Sequence, residues 1–380
     1  MNTVPMITPN SITEIEGLEN RPVFFLKLNG SPTPSLVVKA ERAEHDDEDA
    51  KVSIVWGSKL MKNVQSSLVN MKIMTPPEMQ EFQAAARRLL QNFPHQVAWA
   101  ADTTLGVWIK IPYVDNLKNA DYKVATNHNW NPQRKQMQFD YVTSSKKIKA
   151  TIKRLSDGQA WYDLGKIVAV DLFNGNNDRF NEAGEWINRG NIMFLAAGPI
   201  RVIGLDTYDP TSSTRKLTQP GGFPALRALV DSHAAQQYAA ACCRSVGEKL
   251  QQALTPAQRS NSAPTTITVS FVNAPGGLGT QNIPLQVALL HELFDGFAVE
   301  FEQGLRDGAI ALKRYLQTKA QQYGYRPSRP GTLAPGAAPA RPRHAPGVVA
   351  LAPARPATAT PQHKVMPVGV LDRMQYLGWI

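Results

Sequence analysis

The sequence has little cysteine and no long apolar run. Its 380 residues contain two cysteines, Cys242 and Cys243, which are neighbours in a predicted helix. Because the side chains of adjacent helical residues diverge, this pair suits neither a disulfide nor a metal site, and a reducing cytosol fits the composition best. No stretch of about 18 apolar residues occurs, which argues against a membrane-spanning helix.

The N-terminal segment lacks the basic-then-apolar order of a cleaved signal peptide. Residues 1–13 (MNTVPMITPNSIT) are polar and rich in Thr, Asn, Ser and Pro. This composition resembles the leaders of bacterial type III secreted proteins. We therefore expect a cytoplasmic protein, or one that enters a host cell without a cleaved signal peptide.

The net charge of +10 is unevenly distributed. Residues 326–364 contain six Lys or Arg and no acid, so the rest of the chain carries +4 (10 − 6). A basic folded surface would favour nucleic acid or an anionic membrane. Most of the excess lies in this Pro- and Ala-rich tail, which cannot bury a core and is expected to be disordered. We therefore do not expect nucleic acid as a partner. The apolar end of the chain (VGVLDRMQYLGWI) predicts either a docking motif or a helix that folds back.

The residues suited to chemistry lie between Leu164 and Asp209. An apolar helix end leads into a polar loop, and a second polar loop leads into two short apolar runs with a turn between them. A hairpin built from these runs would bring Asn191 and Asp206 close together. An amide oxygen beside a carboxylate suits Mg2+. Phosphoryl transfer also needs a carboxylate near the acceptor hydroxyl, and Asp178 is the candidate.

These motifs resemble a known family. Asn-Asp-Arg (177–179), Gly-Asn-Ile-Met (190–193) and, after the hairpin, Leu-Asp (205–206) resemble the catalytic core of the protein-kinase-like superfamily. The similarity is closest to its phosphatidylinositol 3/4-kinase and actin-fragmin kinase branches. It implies ATP and Mg2+ as cofactors, with Asp178 as the catalytic aspartate and Asn191 and Asp206 as metal ligands. Arg179 would brace the loop through charge-assisted hydrogen bonds.

The sequence departs from this pattern in two respects. Phe180 stands where the lipid kinases usually have histidine after Asp-Arg. The interval from Asp178 to Asn191 is thirteen residues (191 − 178), longer than is usual in lipid and protein kinases. The longer loop is easier to reconcile with the actin-fragmin kinase branch.

Upstream, three predicted strands end in Val-Val-Lys, as in the small lobe of a kinase. By resemblance, Lys39 would hold the ATP phosphates. Glu48, at the start of the next predicted helix, would pair with Lys39, and Glu44 is the alternative partner. The loop over the phosphates is either Gly17–Asn20 or Asn29–Thr33. We favour the first, because it lies between the first two strands.

Paired strands are predicted at 96–100 and 106–112. By the same resemblance, the second would lead to a hinge that bonds adenine through its backbone. Pro112 has no N–H, so Ile111 or Tyr113 would be the donor. Residues 116–135 are polar and are predicted to be irregular. Helices are predicted at 76–91, 144–155 and 160–173.

The resemblance, together with these predicted elements, implies an α+β, bilobal protein-kinase-like fold. Residues 1–111 would form a small β-rich lobe, 112–324 a mainly helical lobe, and 325–380 the tail. The expected activity is ATP- and Mg2+-dependent phosphorylation of a hydroxyl on a protein, for example a cytoskeletal one. The alternatives are a phosphoinositide acceptor at a membrane and a catalytically inactive kinase-like scaffold.

Overall fold

The computed structural model describes residues 4–19, 21–41, 48–65, 70–131, 136–196, 198–205, 224–254, 266–270, 280–284, 289–325 and 366–380. The chain has an α+β fold, with a small β-sheet in its N-terminal part and a largely helical C-terminal part. Within these ranges, no helix is long and apolar enough to cross a bilayer. Glu44, Asp206 and the predicted basic tail at 326–364 lie outside the described residues.

The N-terminal sheet has five antiparallel strands in the order β1-β2-β3-β5-β4. Alternate residues of a strand face opposite sides of a sheet, and here the two sides differ. Phe24 and Val38 are fully buried on one face, whereas Val37 and Lys39 lie on the other. The strands are β1 (Ile12–Gly17), β2 (Val23–Leu28), β3 (Leu36–Glu41), β4 (Lys72–Ile73) and β5 (Val107–Pro112).

Three helices accompany this sheet: α1 (Glu48–Gln65), α2 (Pro76–Leu89) and α3 (Pro94–Ala101). On the apolar face, Phe82 of α2 packs against Phe24, with ring centroids 5.2 Å apart. The prediction of a strand at 96–100 is wrong, because these residues lie in helix α3. A short apolar run does not distinguish strand from helix, and Pro94 at the first helical position favours the helix.

The C-terminal part also contains strands. The prediction that residues 116–135 are irregular is wrong, because much of this stretch is extended and β7 pairs antiparallel with β8. The alternation of apolar and polar residues that marks a strand is weak in this polar sequence, which concealed it. The strands are β6 (Lys118–Asn119), β7 (Lys123–Asn131), β8 (Gln136–Thr143), β9 (Met193–Phe194), β10 (Val202–Ile203), β11 (Thr266–Ser270) and β12 (Thr280–Pro284).

Helix α5 forms the centre of the helical part and is buried along most of its length. It packs against α8 at backbone contact: a Cβ added to Gly304 would overlap the carbonyl oxygen of Tyr162, and one added to Gly165 would overlap that of Phe301. The helices are α4 (Ser145–Leu155), α5 (Gly158–Asn174), α6 (Ser232–Ala253), α7 (Leu290–Asp295), α8 (Ala298–Gln322) and α9 (Val368–Tyr376).

Helix α9 decides between the two predictions for the end of the chain. It folds back onto the helical core, where Val370 and Met374 are fully buried. The Trp379 ring stacks on Phe173 of α5 at 5.8 Å, and the Trp379 carbonyl accepts a hydrogen bond from Gln317 at 2.8 Å. Residues 366–380 therefore belong to the core, although the sequence grouped them with the tail.

Candidate functional site

A cleft of about 900 Å3 lies between the helical part and the face of the N-terminal sheet that carries Val37 and Lys39. Its volume is within the range of about 300–1,000 Å3 that is typical of small-molecule sites. Val23, Val37 and Lys39 line it from the sheet, whereas Asn191 and Met193 line it from the other side. The cleft therefore brings Lys39 and Asn191 to one cavity, although they are distant in the chain.

Asp178 lies beside this cleft, in the loop that follows α5. The chain leaves α5 through Gly175, whose φ of +71° is in the left-handed region that suits glycine. The Asp178 carboxylate is held by two amides: Asn191 Nδ2 donates to Oδ2 at 2.6 Å, and Asn188 Nδ2 donates to Oδ1 at 3.2 Å. The structure thus brings the predicted catalytic aspartate and the predicted ligand Asn191 into direct contact.

Arg179 ties the two loops of the site together. It is fully buried and forms an ion pair with Asp171, near the end of α5. Its Nε also donates to the carbonyl oxygen of Asn191 at 2.8 Å. Asn176 completes the network: its amide donates to Asp171 at 3.1 Å, and its oxygen accepts from the Asp178 backbone N–H at 3.0 Å. This arrangement has the bracing geometry that the sequence predicted for Arg179.

The predicted hairpin is present. β9 and β10 are antiparallel with Met193 opposite Ile203. Asn191 lies two residues before Met193 and Leu205 two residues after Ile203. Asn191 and Leu205 both line the cleft. Gln65, at the end of α1, holds the second strand by accepting from Gly204 N at 2.8 Å and donating to Val202 O at 2.9 Å. Asp206 follows Leu205 directly but is outside the described residues.

Lys39 lines the cleft, but it does not pair with Glu48, and the alternative partner Glu44 lies outside the described residues. Its ammonium group forms an ion pair with Glu41, two residues along the same strand and on the same face. Glu48 is exposed and pairs with Lys51 at 2.6 Å, one helical turn away. The prediction that Glu48 pairs with Lys39 is therefore corrected. The helix begins at Glu48, and its solvent-facing first turn directs this carboxylate away from the sheet.

The turn between β1 and β2 is the loop that adjoins the cleft. Leu18 and Arg21 of this turn are among the lining residues, whereas the lining residues include none from Asn29–Thr33. Gly17 itself contacts Gln96, which donates to the Gly17 carbonyl at 3.1 Å. Through this hydrogen bond, α3 supports the turn from behind.

The hinge residues Ile111 and Tyr113 also line the cleft, but their backbone amides are engaged elsewhere. Tyr113 N–H donates to Ser35 O at 3.1 Å. Hydrogen-bonded pairs alternate along antiparallel strands, so the Ile111 amide also points towards β3, opposite Val37. Val114 lines the cleft as well, and its N–H makes no hydrogen bond within the described part of the chain. Val114 therefore replaces Ile111 and Tyr113 as the candidate backbone donor.

The chemistry of this arrangement follows from donors and acceptors. A carboxylate only accepts hydrogen bonds, so the Asn191 side chain must turn its NH2 group to Asp178 and leaves its oxygen for another partner. An amide oxygen of this kind is a ligand for Mg2+. Among the described residues no group of three or more His, Cys, Asp or Glu is arranged to hold a metal. The predicted pair consists of one asparagine and one aspartate that is outside those residues.

Several residues of the site were missed by reasoning from the sequence. All but Val114, which lines the cleft as a candidate backbone donor, have a supporting role: they hold the predicted residues in place instead of presenting charge to the cleft. A buried acid near the end of an apolar helix, Asp171, was the one available signal, because an acid is rarely buried without a partner. The missed residues are Gln65, Val114, Asp171, Asn176 and Asn188.

Comparison of the chain with protein-family models, with curated proteins and with solved structures finds no match.

Proposed function

We propose that this chain is an ATP- and Mg2+-dependent phosphotransferase with a bilobal protein-kinase-like fold, and that it phosphorylates a hydroxyl group on a protein. The proposal rests chiefly on one observation: the hydrogen bond between Asp178 and Asn191 beside a cleft that Lys39 lines from the opposite side. Phosphoryl transfer requires these three functions together: a carboxylate for the acceptor hydroxyl, a metal ligand and a cation for the phosphates.

The lining of the cleft suits a nucleotide. Val23 and Val37 of the sheet and Met193 and Leu205 on the opposite side supply apolar surface on both sides of a flat base. Val114 offers a backbone N–H at the rim for a base nitrogen. Lys39 supplies positive charge for the phosphates, and Glu41 takes the orienting role that the sequence had given to Glu48. The turn after Gly17 would close over the phosphates with its backbone amides.

In the reaction, the oxygen of the acceptor hydroxyl forms a bond to the terminal phosphorus as the bond from that phosphorus to the ADP oxygen breaks. ATP supplies the phosphoryl group, and Mg2+ held by Asn191 and Asp206 would neutralise its charge. The Asp178 carboxylate orients the hydroxyl and receives its proton. Asn188 and Asn191 fix the two Asp178 oxygens, so the carboxylate is positioned before the acceptor arrives.

The experiment is phosphate transfer from labelled ATP and Mg2+ by the full chain, with protein extract and lipid vesicles supplied as separate acceptor pools. Asp178→Asn is the test variant. Asp49→Asn is the matched control, since Asp49 is exposed on α1 and is not among the cleft residues. We expect label in the protein pool with wild type and control, and none with Asp178→Asn.

The other outcomes identify the alternatives. Label confined to the lipid pool would indicate a phosphoinositide kinase. A melting temperature that rises with Mg-ATP but no transfer to either pool would indicate a nucleotide-binding scaffold, because a ligand that binds only the folded state stabilises it. If Mg-ATP gives no transfer to either pool and does not raise the melting temperature, the nucleotide site is refuted.

A further inference from the structure

The cleft carries more positive charge than Lys39 alone provides. Among its described lining residues, six are Lys or Arg and two are Asp. Magnesium ions neutralise much of the charge of a bound triphosphate, so the nucleotide does not account for this excess. Four of the six cations lie on the side of the cleft formed by the helical part. We call them the cationic wall: Lys118, Lys146, Lys147 and Arg154.

Three members of the cationic wall belong to one face of α4. Lys147 and Arg154 are seven residues apart, two helical turns, and Ala150 and Thr151 between them also line the cleft. The opposite face of α4 is anchored in the core by Ile148 and Ile152, both fully buried. The helix is therefore fixed with its cationic face towards the cleft.

The cationic wall adjoins the catalytic loop. Lys118 lies opposite Phe194 in the β6–β9 pairing, and the Arg154 guanidinium lies over the Phe194 ring at 5.6 Å from its centroid. Phe194 is three residues after Asn191 in the chain. A group bound to Lys118 and Arg154 would thus lie next to the residues that receive the acceptor.

The cations of the wall are not used in ion pairs within the described part of the chain. Lys147 donates to the carbonyl oxygen of Lys123 at 3.2 Å, and the Arg154 guanidinium lies over the Phe194 ring. The two acids of the cleft have other neighbours: Asp121 lies 3.8 Å from Arg189, and Asp115 accepts from Asn116. Partial burial lowers the pKa of Arg154, so this guanidinium loses hydration, and no described carboxylate forms an ion pair with it.

We infer that the cationic wall binds an acidic segment of the protein acceptor, so that the preferred phosphorylated hydroxyl is flanked by Asp or Glu. This inference rests on the proposed function and names its substrate class. From Lys146 to Arg154 the helix rises about 12 Å, at 1.5 Å per residue. An extended peptide covers that length with about four residues at 3.3 Å each. A row of cations of this length matches a run of acidic side chains, whereas a single lipid headgroup would contact one end of it.

The experiment compares two double variants of the full chain. Lys146→Gln with Lys147→Gln removes two charges from the cationic wall, and both positions are exposed, so folding is preserved. Lys149→Gln with Lys153→Gln removes the same charge from the same helix at positions that do not line the cleft. The probes are serine peptides flanked by Glu, by Gln or by Lys. A Glu-flanked peptide with Ala in place of Ser measures binding by fluorescence anisotropy without turnover.

We expect the Lys146/Lys147 variant to raise KM and Kd for the Glu-flanked peptides about tenfold, since hydrogen bonds to charged groups are lost, while kcat and the KM for ATP stay within twofold. The Lys149/Lys153 control should match wild type. Arg154→Gln should weaken peptide binding in the same way. If the Ala peptide binds and the wall variants weaken this binding, the inference is supported even when no phosphate transfer is observed. A failure of the inference is therefore distinguishable from a failure of the proposed function.

Four results would overturn the inference. The first is equal binding of Glu- and Gln-flanked peptides, and the second is an equal loss in both double variants, which would reflect overall charge. The third is a raised KM for ATP in the Lys146/Lys147 variant, which would assign the cations to the nucleotide. The fourth is a chain that binds phosphatidylcholine vesicles carrying phosphatidylinositol 4-phosphate but none of the peptides, which would assign the cationic wall to a lipid headgroup.

Discussion

Asn191 donates its side-chain N–H to the Asp178 carboxylate at 2.6 Å, across thirteen residues of chain (191 − 178). This bond fixes the asparagine in the orientation that frees its oxygen, and it fixes the carboxylate at the same time. Asn188 binds the other carboxylate oxygen. Both asparagines therefore position the Asp178 carboxylate, but of the two only Asn191 is a predicted metal ligand.

Asn191→Ala is expected to raise the Mg2+ concentration required for half-maximal transfer by about ten- to a hundredfold, the usual range when support of a metal site is removed. Asn188→Ala removes a comparable hydrogen bond to Asp178 without removing an oxygen ligand. It should therefore lower kcat and leave the Mg2+ dependence unchanged. Magnesium titrations of the two variants provide the measurement. An equal Mg2+ shift in both would show that Asn191 does not bind the metal.

Asp171→Asn should destabilise the protein and impair the site together. Arg179 is fully buried, and removing the charge of Asp171 breaks a buried ion pair, at a cost of about 3–5 kcal/mol in the free energy of unfolding. Because Arg179 also holds the Asn191 carbonyl, kcat should fall as well. Urea unfolding and transfer assays measure the two effects. Replacing the exposed Asp49 with Asn serves as the control and should change neither.

The sequence predicted the parts of the site that depend on local order. Asp178, Asn191 and the hairpin after it follow from motifs within about 45 residues, and turns and short apolar runs determine how such a segment folds. The partner of Lys39 could not be predicted in this way. It depends on which carboxylate the tertiary packing leaves on the cleft side, and Glu41 occupies that place instead of Glu48.

The fold was predictable where periodicity is strong. The α2, α4 and α5 helices were expected close to their observed bounds. Two errors have physical causes: the five-residue stretch at 96–100 is too short to distinguish strand from helix, and the polar strand β7 lacks apolar alternation. The contact of Trp379 with Phe173 spans more than 200 residues and leaves no local pattern.

Gly304→Ala is expected to destabilise the fold although alanine is the better helix former. Its methyl group would overlap the Tyr162 carbonyl, and backbone cannot rotate away as a side chain can. Forcing an atom into a well-packed contact costs about 1–3 kcal/mol in unfolding free energy. Ile310→Ala, on the exposed side of the same helix, is the control and should have a smaller effect. Urea midpoints provide the comparison, and an unchanged midpoint for Gly304→Ala would contradict the close packing of α5 and α8.

Glu78 should make stability depend on pH. Burial alone would raise the pKa of Glu78, but hydrogen bonds from Lys110, Thr75 and Ile7 outweigh this effect. The pKa of Glu78 is therefore below its usual value of 4.5. A carboxyl whose pKa is lowered by folding stabilises the native state above its unfolded value and loses that contribution as the pH falls through the folded value. Unfolding free energy should therefore decline below about pH 4.5.

Glu78→Gln is expected to reduce this decline, because the titrating group is absent. The variant should also be less stable at neutral pH, since Lys110 is buried and loses the charge of its partner. Glu81→Gln is the control on the same helix. Urea unfolding across the acid range measures the slope. If the slope of Glu78→Gln equals that of wild type, the pH dependence arises elsewhere.

Trp379→Ala should lower the free energy of unfolding, because it removes a contact between the C-terminal segment and the core. The indole is buried and lies parallel to the Phe173 ring, with an interplanar angle of 2°. Truncating a buried tryptophan to alanine costs about 3–5 kcal/mol. Phe173 is one residue before the end of α5, which leads into the Asp178 loop, so the loss should also loosen that loop and lower kcat. Tyr376→Ala, at an exposed position of α9, is the matched control. Equal stability of the two variants would show that α9 does not support the core, whereas a loss of stability without a change in kcat would separate this support from the site.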